Sequence, residues 1–275
     1  MGKLDGRVAF ITGAGRGQGR SHAVRFAREG ADIIAVDTTE TVDSVPYPLA
    51  DAEDLAETAR LVEATGQRTI AREADIRDYD ALAAAVAEGV GALGRLDIVV
   101  ANAGISSPAP TLEMSEDTWQ DMIDINLTGT WKTLKASVPH IIDGGRGGSV
   151  VIASSLAAMR ANENMAHYSA SKAGLVMLMK VMAKELAAHN IRVNTVHPTT
   201  VATEMVLNEA TYRLFRPDLE SPGRMDFEEA ARTLNRMSVA ALEPEDITAT
   251  VLHLVSDDAK FVTGTTQLID AGGAL

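Results

Sequence analysis

Residues 8–37 constrain the fold more than any other stretch. Val8-Ala9-Phe10-Ile11-Thr12 is a short apolar run without alternation, the pattern of a strand buried on both faces. It leads into Gly13-Ala14-Gly15-Arg16-Gly17-Gln18-Gly19 and then a helical stretch over 21–29, with Gly30 as its stop. A second apolar run, Asp32-Ile33-Ile34-Ala35-Val36, ends at Asp37. Glycines let the backbone turn tightly and approach a pyrophosphate, whose charge then faces a helix N-terminus. Asp37 can accept hydrogen bonds from both ribose hydroxyls of an adenosine and would repel a 2′-phosphate. The unit therefore predicts a dinucleotide site that favours NAD over NADP, with Arg16 a weak argument the other way. Its candidate cofactor residues are Gly13, Arg16, Gly17, Gln18, Gly19 and Asp37.

More strands of the same kind follow. Thr69-Ile70-Ala71 begins a third, which ends at Asp75-Ile76, and Ile98-Val99-Val100 forms a fourth, closed by Ala101-Asn102-Ala103-Gly104. Val150 to Ala153, Val193 to Val196 and Gln267 to Ile269 complete the series. Helical stretches over 55–64, near 80, over 115–143, 168–188 and 245–255 separate them. This order predicts a doubly wound parallel α/β sheet of about seven strands, helices on both faces, in one domain spanning residues 1–275. Asp75 can bond an adenine amino group or cap the next helix. Asn102 is either a ribose neighbour or a pin between strands. Asn126 and Gly129 interrupt the 115–143 helix, which either bends there or is tightly packed.

Two segments break the pattern. Residues 38–50, with Pro46-Tyr47-Pro48, form a long loop directly after Asp37, placed to fold over the adenosine half of a cofactor. Residues 200–240 carry Met205, Met225 and Met237 among scattered Pro and Gly. An insertion after the sixth strand lies over the carboxyl ends of the sheet, where ligands bind, and methionines suit an adaptable apolar pocket.

Composition excludes several classes. A net charge of −13 argues against a nucleic-acid surface. The absence of cysteine removes disulfides, thiolate metal sites and cysteine nucleophiles, and no metal site is expected. No leader is visible before Val8, and the apolar run Leu175 to Met179 stops at Lys180, short of a membrane span. A cytoplasmic protein is expected.

The chemistry concentrates in Ser154-Ser155 and Tyr168-Ser169-Ala170-Ser171-Lys172. Tyr168 and Lys172 fall on one helical face, a turn apart. A tyrosine near its ordinary pKa of ~10 is protonated at neutral pH, and an adjacent cation favours its phenolate. A strand-end serine hydroxyl could hold the carbonyl oxygen that exchanges the proton.

With these residues placed, the chain resembles the short-chain dehydrogenase/reductase family from about Leu4 to Gly273. The resemblance rests on residues 12–19, Asp75-Ile76, Asn102-Ala103-Gly104, Asn126, Ser155, Tyr168 with Lys172, Ile191-Arg192-Val193-Asn194 and Asp270-Ala271-Gly272-Gly273. It implies reversible oxidation of a secondary alcohol with Asn126, Ser155, Tyr168 and Lys172 as catalytic residues. It selects Ser155 over Ser154 and implies cofactor contacts from Tyr168, Lys172, Pro198, Val201 and Thr203. It also implies a homotetramer built on the two long helices. Residues 17–23, the 38–50 loop and His197-Pro198-Thr199 resemble a narrower carveol-dehydrogenase-like, mycofactocin-coupled branch. That likeness implies tightly held NAD, an external redox-carrier partner and a small apolar alcohol or ketone. Ala173 departs from that branch, and Ala101 and Thr199 from the broad family. The alternatives are a reductase with freely exchanging NAD(H), acting on an acyl, steroid or other ketone, and a non-catalytic NAD-binding scaffold.

Overall fold

The structure, a computed structural model, describes residues 2–275. Seven strands form one parallel sheet: β1 (Val8–Thr12), β2 (Asp32–Asp37), β3 (Thr69–Glu73), β4 (Ile98–Ala101), β5 (Gly148–Ala153), β6 (Ile191–Pro198) and β7 (Thr266–Ile269). Their spatial order is β3-β2-β1-β4-β5-β6-β7. The order reverses between β1 and β4, so the sheet's carboxyl edge opens into a crevice there.

Alternate residues of each strand feed different layers, because side chains point to opposite faces with a period of two. Val8 and Phe10 join one core, whereas Ala9 and Ile11 join the other. The first core is covered by α3 (Tyr79–Leu93), α4 (Glu116–Ile123), α5 (Thr130–Gly144) and α6 (Ala166–Leu186). The second is covered by α1 (Gly17–Arg28), α2 (Ala52–Glu63) and α9 (Pro244–Val255). Burial on both faces explains why the strands read as continuous apolar runs.

Several boundaries differ from the sequence expectation, each for a local reason. The first helix starts at Gly17 rather than near 21, so the last glycines of the turn form its first turn. β3 stops at Glu73, which leaves Asp75 and Ile76 just beyond its end. Asp78, not Asp75, caps α3 by accepting the Asp80 and Ala81 amides. The 115–143 stretch is not one helix: a π-helical turn over Asp124–Gly129 separates α4 from α5. The poor helix formers there mark a local change of winding, a device common at functional sites.

Residues 200–240 fold into α7 (Glu209–Phe215) and α8 (Arg224–Arg232). They have a small core of their own, in which Phe227 meets Tyr212 and Phe215 at ring separations of 5.5 and 4.9 Å. Met225 and Met237 are 84% and 65% exposed, so they do not line a pocket; Met205 alone of the three borders the central crevice. The aromatic cluster fills the place expected for methionines.

Two glycines of α3 give a paired test of this packing. A Cβ on Gly89 would lie 2.5 Å from Ile34 Cδ1, whereas one on Gly91 would meet nothing within 4 Å. Gly89→Ala is expected to lose about 1–3 kcal/mol by overpacking, and Gly91→Ala to gain up to about 1 kcal/mol by helix propensity. Urea unfolding of the two variants reads both signs.

Candidate active site

The crevice at the switch point is open to solvent, with about 920 Å³ of empty space counting its open mouth. Its floor is the glycine turn. Gly13 and Gly17 have φ of +65° and +53°, a left-handed backbone that glycine adopts without a Cβ penalty. The α1 N-terminus carries no side-chain cap, so its first amides remain free to face an anion. That uncapped terminus fits a dinucleotide's diphosphate.

The carbonyls of the turn are held away from the crevice. Thr58 Oγ1 donates to Ala14 O at 2.9 Å, and the Arg20 guanidinium donates to Gly15 O while also pairing with Asp54. Asp37 receives the Gly15 amide at 2.7 Å and the Thr38 amide at 2.9 Å, one on each carboxylate oxygen. Each oxygen keeps lone-pair capacity for a ribose hydroxyl. Burial pushes the Asp37 carboxyl up, and these two amides pull it back.

Gly13, Arg16, Gly17, Gln18, Asp37, Asp75, Ile76, Asn102, Ala103, Gly104 and Thr203 all line the crevice. Gly19, Tyr168, Lys172, Pro198 and Val201 do not border it. Gly19 acts beneath the floor, where an added Cβ would fall 1.9 Å from Gly13 O. Gln18 Oε1 is buried without a hydrogen-bond partner, a polar atom left to a ligand or water. Asn102 is the pin between strands: its Nδ2 donates to Thr12 O and Gly13 O at 3.1 and 3.2 Å. Asp75 is bound by Arg77 through two guanidinium nitrogens, at 2.8 and 2.6 Å.

The 38–50 loop forms one wall of the crevice through Val42, Tyr47, Leu49 and Ala50. Tyr47 is buried, and its hydroxyl accepts the Ser106 amide at 3.0 Å. Ser44 donates to Asp121 at 2.8 Å. Arg16 donates to the Pro48 carbonyl and lies 4.0 Å from Glu204. The cation of the glycine turn thus ties the loop to the 200–240 segment. The sequence marked Tyr47-Pro48-Leu49 only as part of the loop that resembles the narrower branch, not Tyr47 as the acceptor of the Ser106 amide.

Beyond Gly104 of the crevice, where an added Cβ would lie 3.3 Å from Lys172 Nζ, β5 delivers Ser154 and Ser155 beside α6. Lys172, only 5% exposed, donates from Nζ to Ala153 O at 2.9 Å, and Ser154 Oγ donates to Lys172 O at 2.9 Å. Lys172 Nζ lies 5.6 Å from the centre of the Tyr168 ring. Burial pushes the lysine down to about 8. It also pushes the Tyr168 phenol up, and the neighbouring Ser155 hydroxyl pulls it back. The depression of Tyr168 expected from sequence is therefore outweighed by desolvation among the protein's own groups.

Asn126 sits in the π-helical turn. Its Oδ1 accepts the Ile105 amide at 2.8 Å and its Nδ2 donates to the Ile105 carbonyl at 2.9 Å. The side chain is a clamp on the segment after β4. Its main-chain carbonyl accepts from the Thr130 hydroxyl at 2.9 Å. Gly104 is squeezed between: an added Cβ would lie 3.1 Å from Asn126 Oδ1 and 3.3 Å from Lys172 Nζ.

Comparison with known proteins agrees with this geometry. A family model described as short chain dehydrogenase matches residues 7–213. The (−)-trans-carveol dehydrogenase of Rhodococcus erythropolis is 50% identical over 276 residues, covering 100% of both chains. The crystal structure of carveol dehydrogenase from Mycobacterium avium in complex with NAD superposes with a TM-score of 0.98, at 50% identity and 99% coverage of each chain. A short chain dehydrogenase from Mycobacterium paratuberculosis bound to NAD gives 0.91 at 46% identity, with 99% of each chain covered. By its motifs, its sheet order and these relatives, the chain belongs to the short-chain dehydrogenase family.

Proposed function

We propose that this chain is an NAD-dependent oxidoreductase that interconverts a small apolar secondary alcohol and its ketone, on NAD that it retains. The carrying observation is the grouping of Ser155, Tyr168 and Lys172, with Lys172 next to Gly104 of the crevice that fits a dinucleotide. Relatives named carveol dehydrogenase and solved with NAD support the cofactor and the substrate class.

The glycine turn and the α1 N-terminus hold the diphosphate, and Thr203, in contact range of a Cβ on Gly17, closes that side. Asp37 takes the adenosine ribose, Asp75 and Ile76 flank the adenine, and Asn102 to Gly104 underlie the second ribose. Pro198 and Val201, though outside the crevice lining, would contact the carboxamide through their backbone. When bound, NAD supplies a hydride acceptor.

Ser155 holds the substrate oxygen by its hydroxyl. Tyr168, as phenolate, takes the alcohol proton. The Lys172 cation opposes the burial that keeps the phenol protonated, and it binds the ribose. A water on the second lone pair of the Asn126 carbonyl connects Lys172 to solvent.

Retention of NAD is supported by the loop's three attachments: to the turn, to Ser106 and to Asp121. A retained cofactor calls for an external redox carrier of the mycofactocin kind. A homotetramer is supported by exposed Trp119 and Trp131 along α4 and α5 and by exposed Met177 and Val181 on α6. Among the described residues no helix is long and apolar enough to cross a membrane; the acidic charge suits the proposed cytoplasmic location.

Tyr168→Phe is expected to keep its NAD and to lose roughly 10²–10⁴-fold in the single-turnover rate of NADH formation from carveol. Near-normal turnover would refute the assignment. Wild-type protein is expected to retain nucleotide through dialysis. Tyr47→Phe, which leaves the Ser106 amide unpaired at a cost of about 1–3 kcal/mol, is expected to release it at least about tenfold faster. Loss of nucleotide from the wild type, with turnover restored by added NAD, would leave the chemistry standing and remove retention.

Lys172 gives a stability test. The unfolded chain keeps this proton up to 10.5 and the folded one releases it near 8. Below 8 the buried cation therefore costs about 3 kcal/mol, and the cost disappears as pH rises from 8 towards 10.5. Lys172→Met is expected to be inactive yet more stable than wild type near neutrality, by up to that amount. The gap should close in alkaline solution, as read by urea unfolding across pH.

A further inference from the structure

The strand that ends beside the catalytic serine runs out of backbone donors where they are needed. β5 and β6 pair in register through Ala153 and Val196, and the Ser154 amide still reaches Val196 O at 2.9 Å. The next residues of β6 have nothing to give. Pro198 has no N–H, and the Thr199 amide goes the other way, to Ile269 of β7 at 3.1 Å.

His197 fills the gap with its side chain. It is 0% exposed. Its Nδ1 is 2.9 Å from Ser155 O, and its Nε2 is 2.8 Å from Thr195 Oγ1 on the same face of β6. A carbonyl only accepts, so Nδ1 carries the proton and Nε2 accepts from the threonine hydroxyl. Burial lowers the ring's pKa; the hydrogen bond to Ser155 O opposes this in part, and the nearby Lys172 cation adds to the lowering. The imidazole is thus held neutral in one tautomer.

Ser155 O also accepts the Ala158 amide at 3.0 Å, and Ser155 Oγ accepts the Ala157 amide at 3.1 Å. The residue is extended, at φ −162° and ψ 158°, and starts a single 3₁₀ turn over Leu156–Ala158. From that short turn alone the hydroxyl could swing with the loop.

We infer that His197 is a positioning residue for the reaction: its Nδ1–H fixes the carbonyl of Ser155 and so aims the serine hydroxyl at the substrate oxygen. This rests on the alcohol–ketone reading above. The ring touches neither substrate nor cofactor in this role. It adds a side-chain bond one residue beyond the last β5–β6 ladder bond, where Pro198 offers no donor, and Thr195 sets its tautomer.

The test compares His197→Asn, whose amide nitrogen can stand where Nδ1 stands, with His197→Gln, whose amide reaches the place of Nε2 instead. Single-turnover NADH formation from carveol is followed together with nucleotide content and melting temperature, and Tyr168→Phe serves as the control. The glutamine variant is expected to be slower by roughly 10- to 100-fold with NAD content unchanged. The asparagine variant should lie within a few-fold of wild type.

Equal rates in wild type and His197→Gln, while Tyr168→Phe is dead, would overturn the role of His197 and leave the proposed chemistry intact. Equal impairment of both histidine variants would also overturn it, since a merely structural ring would not distinguish them. An active Tyr168→Phe would instead overturn the chemistry. In ¹⁵N-histidine spectra the wild-type ring whose signal is absent from His197→Asn is expected to be protonated at Nδ1 only. A resident proton on Nε2 of that ring would refute the inference.

Discussion

A charged amine sealed between β5 and α6 is the constraint around which this half of the molecule is arranged. Lys172 is bonded to the Ala153 carbonyl, and its own carbonyl is bonded by Ser154. The two bonds join helix to strand end in both directions. They fix the height of α6 against the sheet and thereby that of Tyr168, one turn earlier. Among the described residues no carboxylate pairs with the amine, and burial lowers its pKa without a partner to offset it. A group kept in so unfavourable a setting is typical of a site where function, not stability, sets the sequence.

The opposite half is governed by what the backbone must avoid. Carbonyls facing a diphosphate would repel it, and here Thr58, Arg20 and Asn102 draw the turn's carbonyls back into the protein. Amides remain on the ligand side. The anion site is therefore made by α2 and β4 as much as by the glycines themselves. The 38–50 loop then adds a wall fastened at three separate points.

Much of this was legible in the sequence because the signals were local. Strands buried on both faces read as unbroken apolar runs, and the glycine turn with Asp37 announced its ligand. The i, i+4 pair of Tyr168 and Lys172 placed both on one helical face. What was not legible depends on partners distant in sequence. Tyr47 matters because Ser106 needs an acceptor, 59 residues away, and His197 because Ser155 O lies 42 residues back. The direction of the Tyr168 shift required knowing how deeply the phenol is buried. The π-helical turn could be located from Asn126 and Gly129 but not named, since winding follows from packing against Ile76 and Ile105. The methionines of the 200–240 segment misled because hydrophobicity alone does not say which side of a short helix faces inward.

Asp37 joins two properties that are often treated as separable. The carboxylate proposed to select the adenosine ribose is also the acceptor that fixes the Gly15 amide, and a Cβ on Gly15 would come within 2.8 Å of it. On that proposal, discrimination between phosphorylated and unphosphorylated cofactors is built into the shape of the turn. A lineage drifting towards NADP cannot simply trade this acid for a neutral or basic residue, because the same exchange loosens the loop that grips every nucleotide. It would first have to acquire another acceptor for that amide, which makes cofactor preference in this chain an evolutionarily guarded trait.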